Sequence, residues 1–422
     1  MKLSDLGAGL AAALLLLGIG LSSTAQNGTM SPYSRYGYGI LRDRATSTQR
    51  SMGGVGYAMQ SGRQINAMNP ASYAAIDSLT FLFDMGVDVT ALWQSETTDG
   101  GEKLSDNNFG GGLDYVTMQF PLGKHMGMSV GLVPFSSVGY SFGDEISNGI
   151  ASRQGSGSIN ELYAGIAGNI FRGFYVGVDF SYMFGSLLND SYAIVSSSGS
   201  QAVFQKELRV RDWNMTAGLQ YGFRTASRQY MTFGLTYRPS KSFLGEAKTY
   251  YYVENLTSPE VEDEHKLHHN YTMPETWGAG VNYRIDTRWM FEGDFTYQPW
   301  SKAKFRGFAT DQISHEFANR WKGAAGVQYV PNYRGGYGKR MNYRLGAYYS
   351  RDYLIVRGNN VREFGISAGL GFPVPTFKTT VNLGLEWKRR EAYPQTLIRE
   401  DYLNITLGIN FNEMWFRQSK IY

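Results

Sequence analysis

Leu403-Asn404-Ile405-Thr406-Leu407-Gly408-Ile409-Asn410-Phe411 decides the fold. Every second residue is apolar, and those between are polar or small, so the segment has period two and two unlike faces. The same alternation recurs upstream. Val176, Val178, Phe180, Tyr182 and Phe184 alternate with Gly177, Asp179, Ser181 and Met183, and Val381, Leu383, Leu385 and Trp387 with Asn382, Gly384, Glu386 and Lys388. In a soluble sandwich the apolar faces would meet across a core. Here too many segments share the pattern, and their polar faces are too wet for a packed interior. A membrane barrel reverses the arrangement, with apolar residues toward lipid and polar ones toward the lumen. Asp179, Arg238, Arg284, Glu292, Asp294, Glu386 and Lys388 all fall on the polar set, where lipid would penalise them by a few kcal/mol on the other.

Working outward from that stretch, alternating segments fall at 79–94, 112–122, 125–140, 158–170, 174–187, 202–223 and 230–243. Seven more follow at 271–284, 288–300, 317–330, 342–350, 361–372, 377–389 and 397–411. The total is about fourteen, an even number, as closure of an antiparallel bacterial barrel requires. Connections at 171–173, 225–229, 285–287 and 373–375 are tight, whereas 95–111, 143–157, 188–201, 244–270 and 301–316 are long and polar. Short turns at one end and long loops at the other are the outer-membrane layout, with the N-terminus periplasmic. The connection 332–341 falls on the short-turn side yet exceeds its peers, and its Tyr, Arg and Gly content would suit a docking element if the chain were a subunit of a larger complex.

Composition agrees. The chain carries 30 Tyr, 24 Phe and 8 Trp, enough for aromatic girdles, and 51 Gly, which suits a tightly curved closed sheet. Phe81, Phe83, Trp289, Phe291, Tyr297, Trp300 and Trp387 are the expected girdle positions. There is no cysteine, which excludes disulfides, thiolate metal sites and a cysteine nucleophile. The 40 basic residues nearly balance the 36 acidic ones, and no basic cluster points to nucleic acid. Lys2, the apolar run 8–21 and Ser23-Thr24-Ala25 read as a signal peptide over residues 1–25, too short for the roughly 20 residues of a spanning helix. No cysteine follows the cleavage point, so no lipid anchor is expected.

Residues 26–78 are too many for a tail and too irregular for strands. They read as a hatch, a Gly-rich plug for a lumen that would otherwise leak. Gly53, Gly54 and Gly56 do not make a dinucleotide loop, because the flanking strand, helix and glycine spacing are missing. The barrel would then cover 79–411, leaving 412–422 as a periplasmic tail whose Trp415, Phe416 and Tyr422 are either assembly signals or rim contacts.

Met52-Gly53-Gly54-Val55-Gly56-Tyr57-Ala58, followed by Asn69-Pro70-Ala71 and a first strand, resembles the hatch of the FadL/TodX-type outer-membrane transporters of hydrophobic compounds. The resemblance covers essentially the whole mature chain and implies a fourteen-stranded barrel. It implies passive uptake of small hydrophobic, fatty-acid-like molecules, with Asn69, Pro70, Ala71, Gly53, Gly54 and Gly56 as the hatch and gate. Ligand would leave sideways near a kinked strand. Pro70 stiffens that turn and Asn69 can bond neighbouring backbone; an ordinary turn would use them the same way. Ser31-Pro32-Tyr33-Ser34-Arg35-Tyr36-Gly37 and Asn412-Glu413-Met414-Trp415-Phe416-Arg417 are similar to the Bacteroidota branch. That branch also contains accessory barrels of outer-membrane assembly and type IX secretion, so partners of that kind are the alternative to a hydrophobic ligand. The transport members bind acyl chains in apolar pockets, and the charged lumenal face here departs from them.

No cofactor or metal is expected. His265, His268 and His269 beside Glu262, Asp263 and Glu264 read as a solvated external loop rather than a metal site. Ser129 and His125 could share a strand face, but packing explains that equally, and no enzyme activity is expected. The ligand-binding residues are unknown at this stage.

Overall fold

The computed structural model describes residues 31–97, 101–146, 149–195, 201–253, 260–306, 316–374 and 379–414. The signal-peptide segment 1–25, and Trp415, Phe416 and Tyr422 of the tail, lie outside them.

Fourteen antiparallel strands close into one barrel. They are β1 (Thr80–Thr97), β2 (Lys103–Pro121), β3 (Met126–Ile146), β4 (Gly149–Phe171), β5 (Phe174–Val195) and β6 (Gln201–Ala226). Next, β7 runs in two pieces (Gln229–Arg238, Gly245–Val253), as does β8 (Glu260–Lys266, Thr276–Ile285). The circuit ends with β9 (Trp289–Gln298), β10 (Arg320–Tyr329), β11 (Asn342–Val356), β12 (Asn359–Pro373), β13 (Thr380–Tyr393) and β14 (Ile398–Met414). Closure is by β14 on β1, in register from Ile398 opposite Glu96 to Met414 opposite Thr80. Every backbone group on that seam finds a partner, as a lipid-embedded sheet requires.

The faces fall as the alternation predicts. Ile405 and Phe411 are exposed outward, while Thr406, Asn410 and Asn412 are buried inward. Asp179, Glu292 and Asp294 are likewise buried in the lumen. Trp300 is a correction: instead of joining the girdle it is fully buried inside the long-loop end. No helix among the described residues is long and apolar enough to cross a membrane.

The long connections are also corrected. Segments expected as loops at 95–111, 143–157 and 188–201 are largely strand, because β2 begins at Lys103, β4 at Gly149 and β5 reaches Val195. Above the lipid, nothing requires apolar alternation, yet the backbone ladder still satisfies its own donors, so the strands continue in polar sequence. The last strand likewise runs to Met414, past the expected end at Phe411.

Residues 31–78 occupy the interior. They hold little regular structure: short 3-10 turns at Pro32–Arg35 and Pro70–Ala75, a two-residue strand Ile40–Leu41 and one helical turn Ser47–Arg50. That turn is closed by a capping box between Thr46 and Gln49. Such a segment has no core of its own. It is folded by the wall around it.

Candidate functional site: the filled lumen

Glycines facing inward from the wall form the bed for this segment. A Cβ at Gly346 on β11 would lie 2.1 Å from the Gly53 nitrogen and the Met52 carbonyl carbon. One at Gly234 on β7 would lie 1.9 Å from the Tyr57 carbonyl oxygen, and one at Gly218 on β6 would lie 2.1 Å from Asn69 Oδ1. These distances are far below contact, so hatch main chain at Gly346 and Gly234, and the Asn69 side chain at Gly218, rest directly on the wall's main chain. The abundance of glycine therefore serves the plug as well as curvature.

Wall side chains then hold the backbone. Asp294 Oδ2 accepts from the Gly56 and Tyr57 N–H groups at 2.6 and 2.9 Å, and Glu292 Oε1 accepts from Ala58 N–H at 3.0 Å. Gln220 Nε2 donates to the Tyr57 carbonyl at 2.9 Å. Three consecutive charges, Arg42, Asp43 and Arg44, reach three different parts of the wall. Arg42 meets Asp88 on β1 at 2.9 Å and Asp114 on β2 at 3.6 Å. Asp43 meets Arg320 at 3.2 Å and Lys322 at 2.6 Å, both on β10. Arg44 bonds Glu161 on β4 and Asp179 on β5, the latter at 3.0 Å. Burial works to raise the Asp43 carboxyl, but Lys322 and Arg320 together hold it well below the ordinary carboxylate range. Among the described residues, lumenal cavities of about 110 and 90 Å³ are lined by these charges.

Toward the long loops the filling is aromatic. Tyr38 is fully buried, its ring 5.1 Å from Phe243, 5.7 Å from Trp300 and 5.0 Å from Phe305. Its hydroxyl donates to the Thr272 carbonyl at 3.2 Å and its N–H to Tyr353 Oη at 3.0 Å. Phe317 and Tyr353 complete one continuous core with Tyr33, Tyr38 and Ile40.

The wall itself has a seam. β2 and β3 pair only from Val116 opposite Leu132 to Pro121 opposite Gly127. Beyond lies Pro134, which has no N–H to give, and the β3–β4 register shifts there as well. The strand Ile40–Leu41 takes the free edge of β3 at Ser137 and Ser136, and Arg42 N–H donates to the Phe135 carbonyl at 2.8 Å.

Of the six residues expected at the hatch, Asn69, Pro70 and Ala71 are buried against β5 and β6, not at the seam. Asn69 Oδ1 accepts from Ala71 N–H at 3.0 Å, and its Nδ2 donates to the Tyr57 and Leu219 carbonyls at 2.7 and 3.2 Å. Gly53 and Gly54 have φ of +76° and +80° and make the turn after Ser47–Arg50. At Gly56 a Cβ would strike Gln49 Nε2 at 2.2 Å. The residues at the seam are Ile40, Leu41 and Arg42, which alternation and motif did not single out. Their only sequence signal was the run of three charges in a segment otherwise poor in them.

The remaining candidates scatter. Ser129 is buried, donating to the Met118 carbonyl at 2.9 Å and meeting Tyr163 Oη at 3.0 Å, whereas His125 is exposed in a turn. His265 faces Tyr271 Oη at 3.2 Å and Asp263 at 3.4 Å, while the rings of His268 and His269 lie 3.8 Å apart at a tilt of 51°. Among the described residues no three such ligands gather.

Among the described residues the chain is a closed fourteen-strand barrel with residues 31–78 folded inside it. A Pseudomonas aeruginosa FadL homologue superposes with a TM-score of 0.64 at 11% identity, over 88% of this chain and 99% of that one. The P. putida toluene transporter TodX gives 0.61 at 15% identity, over 91% and 100%, and the Ralstonia pickettii toluene transporter TbuX 0.58 at 13%, over 87% and 98%. At such identities the likeness is one of fold. The chain belongs to the BamG family, whose model matches residues 10–422. No curated protein sequence matches it.

Proposed function

We propose that this protein is an accessory barrel of an outer-membrane protein assembly or secretion complex, embedded in lipid and plugged by its own hatch. The carrying observation is the aromatic core around Tyr38. An uptake channel of the FadL type needs a contiguous apolar pocket beneath its external loops. In this chain Tyr38, Phe243, Trp300, Phe317 and Tyr353 pack on one another in that place. Deeper in, the lumen is closed by ion pairs and by main chain seated on glycine, and neither offers an apolar path. The match to the BamG family and the resemblance of the opening and closing motifs to a Bacteroidota branch with assembly partners support the same reading.

Passive uptake of small hydrophobic compounds is the second reading, favoured by the seam between β2 and β3. A ligand released there would pass Ile40 and Leu41 into the bilayer. Asn69, Pro70, Ala71, Gly53, Gly54 and Gly56 would then be parts of the moving hatch.

Native mass spectrometry on protein extracted from its own membrane in mild detergent separates the two. Recovery in a stoichiometric complex with an empty lumen supports the accessory role. A lone barrel carrying a small apolar adduct overturns it in favour of uptake.

A further inference from the structure

The short-turn end of the barrel opens into a cavity of about 540 Å³, within the roughly 300–1,000 Å³ span of ligand clefts. Its lining includes Gln60, Arg63, Arg284, Arg288, Tyr333 and Arg340. Among the described residues Asp77 and Asp286 are the carboxylates of the lining, and Glu292 acts on Arg284 from beyond it. Asp77 stands 3.9 Å from Arg63, and both are largely exposed, so that pair neutralises little. Arg284 is turned to the Gln60 carbonyl. Arg63, Arg288 and Arg340 therefore leave a surplus of guanidinium groups in a concave place.

A second observation comes from the hydrogen bonds. Among the described residues Gln60 Nε2 and Arg340 Nε, both in the lining, have no partner, nor have Arg344 Nη2 and Asn382 Nδ2, which lie outside the lining. Arg344 and Asn382 are 2% and 1% exposed, and they bond each other at 2.8 Å through Nη1 and Oδ1. Arg344 Nε donates at 2.7 Å to Gln328, which itself lines the cavity. The two unpartnered groups of the lining itself are both donors. Buried donors cost free energy until an acceptor arrives, and a carboxylate brings two oxygens able to meet guanidinium groups in pairs.

We propose that this mouth receives an acidic segment of a periplasmic partner, with Arg63, Arg288 and Arg340 gripping its carboxylates. The inference rests on the accessory role for the existence of a partner, but not for the chemistry of the site. A lipid phosphate is the poorer occupant. The cavity lies inside the ring of strands, floored by the hatch at Met59 to Gln64, and a headgroup anchored outside the wall does not reach it. The exposed Tyr333 at the rim gives the incoming main chain an aromatic surface to lie on.

The test uses the full barrel in detergent, a hexaglutamate peptide, inorganic phosphate and isothermal titration calorimetry. The peptide is expected to bind and to weaken as salt rises. The double variant Arg63→Ala/Arg340→Ala, both off the barrel strands, is expected to lose about tenfold or more in affinity while retaining the heat-modifiable mobility of a folded barrel. Absence of peptide binding, equal binding by the variant, or phosphate binding that the peptide does not compete away overturns the proposal. In the native membrane, loss of the partner from the double variant supports it, and a complete complex with the double variant overturns it while sparing the accessory role. A wild-type barrel that binds peptide but is never recovered with a partner overturns the accessory role instead.

Discussion

At the residue scale the lumen is governed by buried charge that is already paired. Arg44 lies between Glu161 and Asp179, whose side chains are almost wholly buried. Removing Arg44 takes from Asp179 its ion pair, while Glu161 keeps Arg238 at 2.8 Å, so Arg44→Ala is expected to cost on the order of 3 kcal/mol, read as earlier thermal unfolding of the barrel in detergent. Asp43 carries a pH signature. Its carboxyl is held low by Lys322 and Arg320, so its contribution is complete above the ordinary carboxylate range and is lost as pH falls below that range. Asp43→Asn is therefore expected to flatten the part of the melting profile that falls off below the ordinary carboxylate range, and an unchanged acid limb would contradict this. Tyr38 tests the function directly. Tyr38→Ala removes the centre of the aromatic core, at a cost of about 3–5 kcal/mol. Because the lumen below is closed by ion pairs and by main chain on glycine, the variant is expected to bind a hydrophobic probe in the vacated core without gaining uptake into vesicles, and uptake by it would favour the channel reading.

At the element scale the deciding contact is between hatch and wall. Gly346 admits the Met52–Gly53 peptide because it has no Cβ. Gly346→Val is expected to unseat that part of the hatch while β11 keeps its ladder to β10 and β12. Limited proteolysis should then cut within residues 31–78, and planar-bilayer recordings should show conductance where the wild type is closed. A variant as resistant and as closed as wild type would mean that the plug does not depend on this bed. The two-residue strand Ile40–Leu41 belongs to the same scale. It covers an edge that Pro134 leaves unpaired, and an uncovered edge in lipid exposes donors and acceptors with no partner.

For the whole molecule, the barrel presents an apolar exterior, a filled interior and a basic mouth, three surfaces with separate roles. The exterior answers to lipid: Trp213, Phe291, Phe295 and Ile366 are among its exposed apolar residues. The interior answers to the hatch. The mouth, with its unpartnered donors, answers to something beyond the chain. An accessory barrel would be distinguished from a channel by this division, since its contacts with others are at its ends while its centre is shut. Co-purification of the wild-type protein with stoichiometric partners, and zero conductance of the isolated barrel, are the outcomes expected at this scale.

Sequence alone determined the barrel, its strand number and the sidedness of every strand quoted, because lipid imposes period two on each segment locally, whatever its neighbours are. It also marked residues 26–78 as a separate segment, since no period holds there. It did not reveal that the polar loops are strands, because outside lipid a backbone ladder places no demand on side chains. The partners of Arg42, Asp43 and Arg44, the glycine bed and the fate of Trp300 were decided only by tertiary structure. Each joins residues dozens to hundreds of positions apart, and the register of a closed sheet, which sets who meets whom across the lumen, is not written in any one strand.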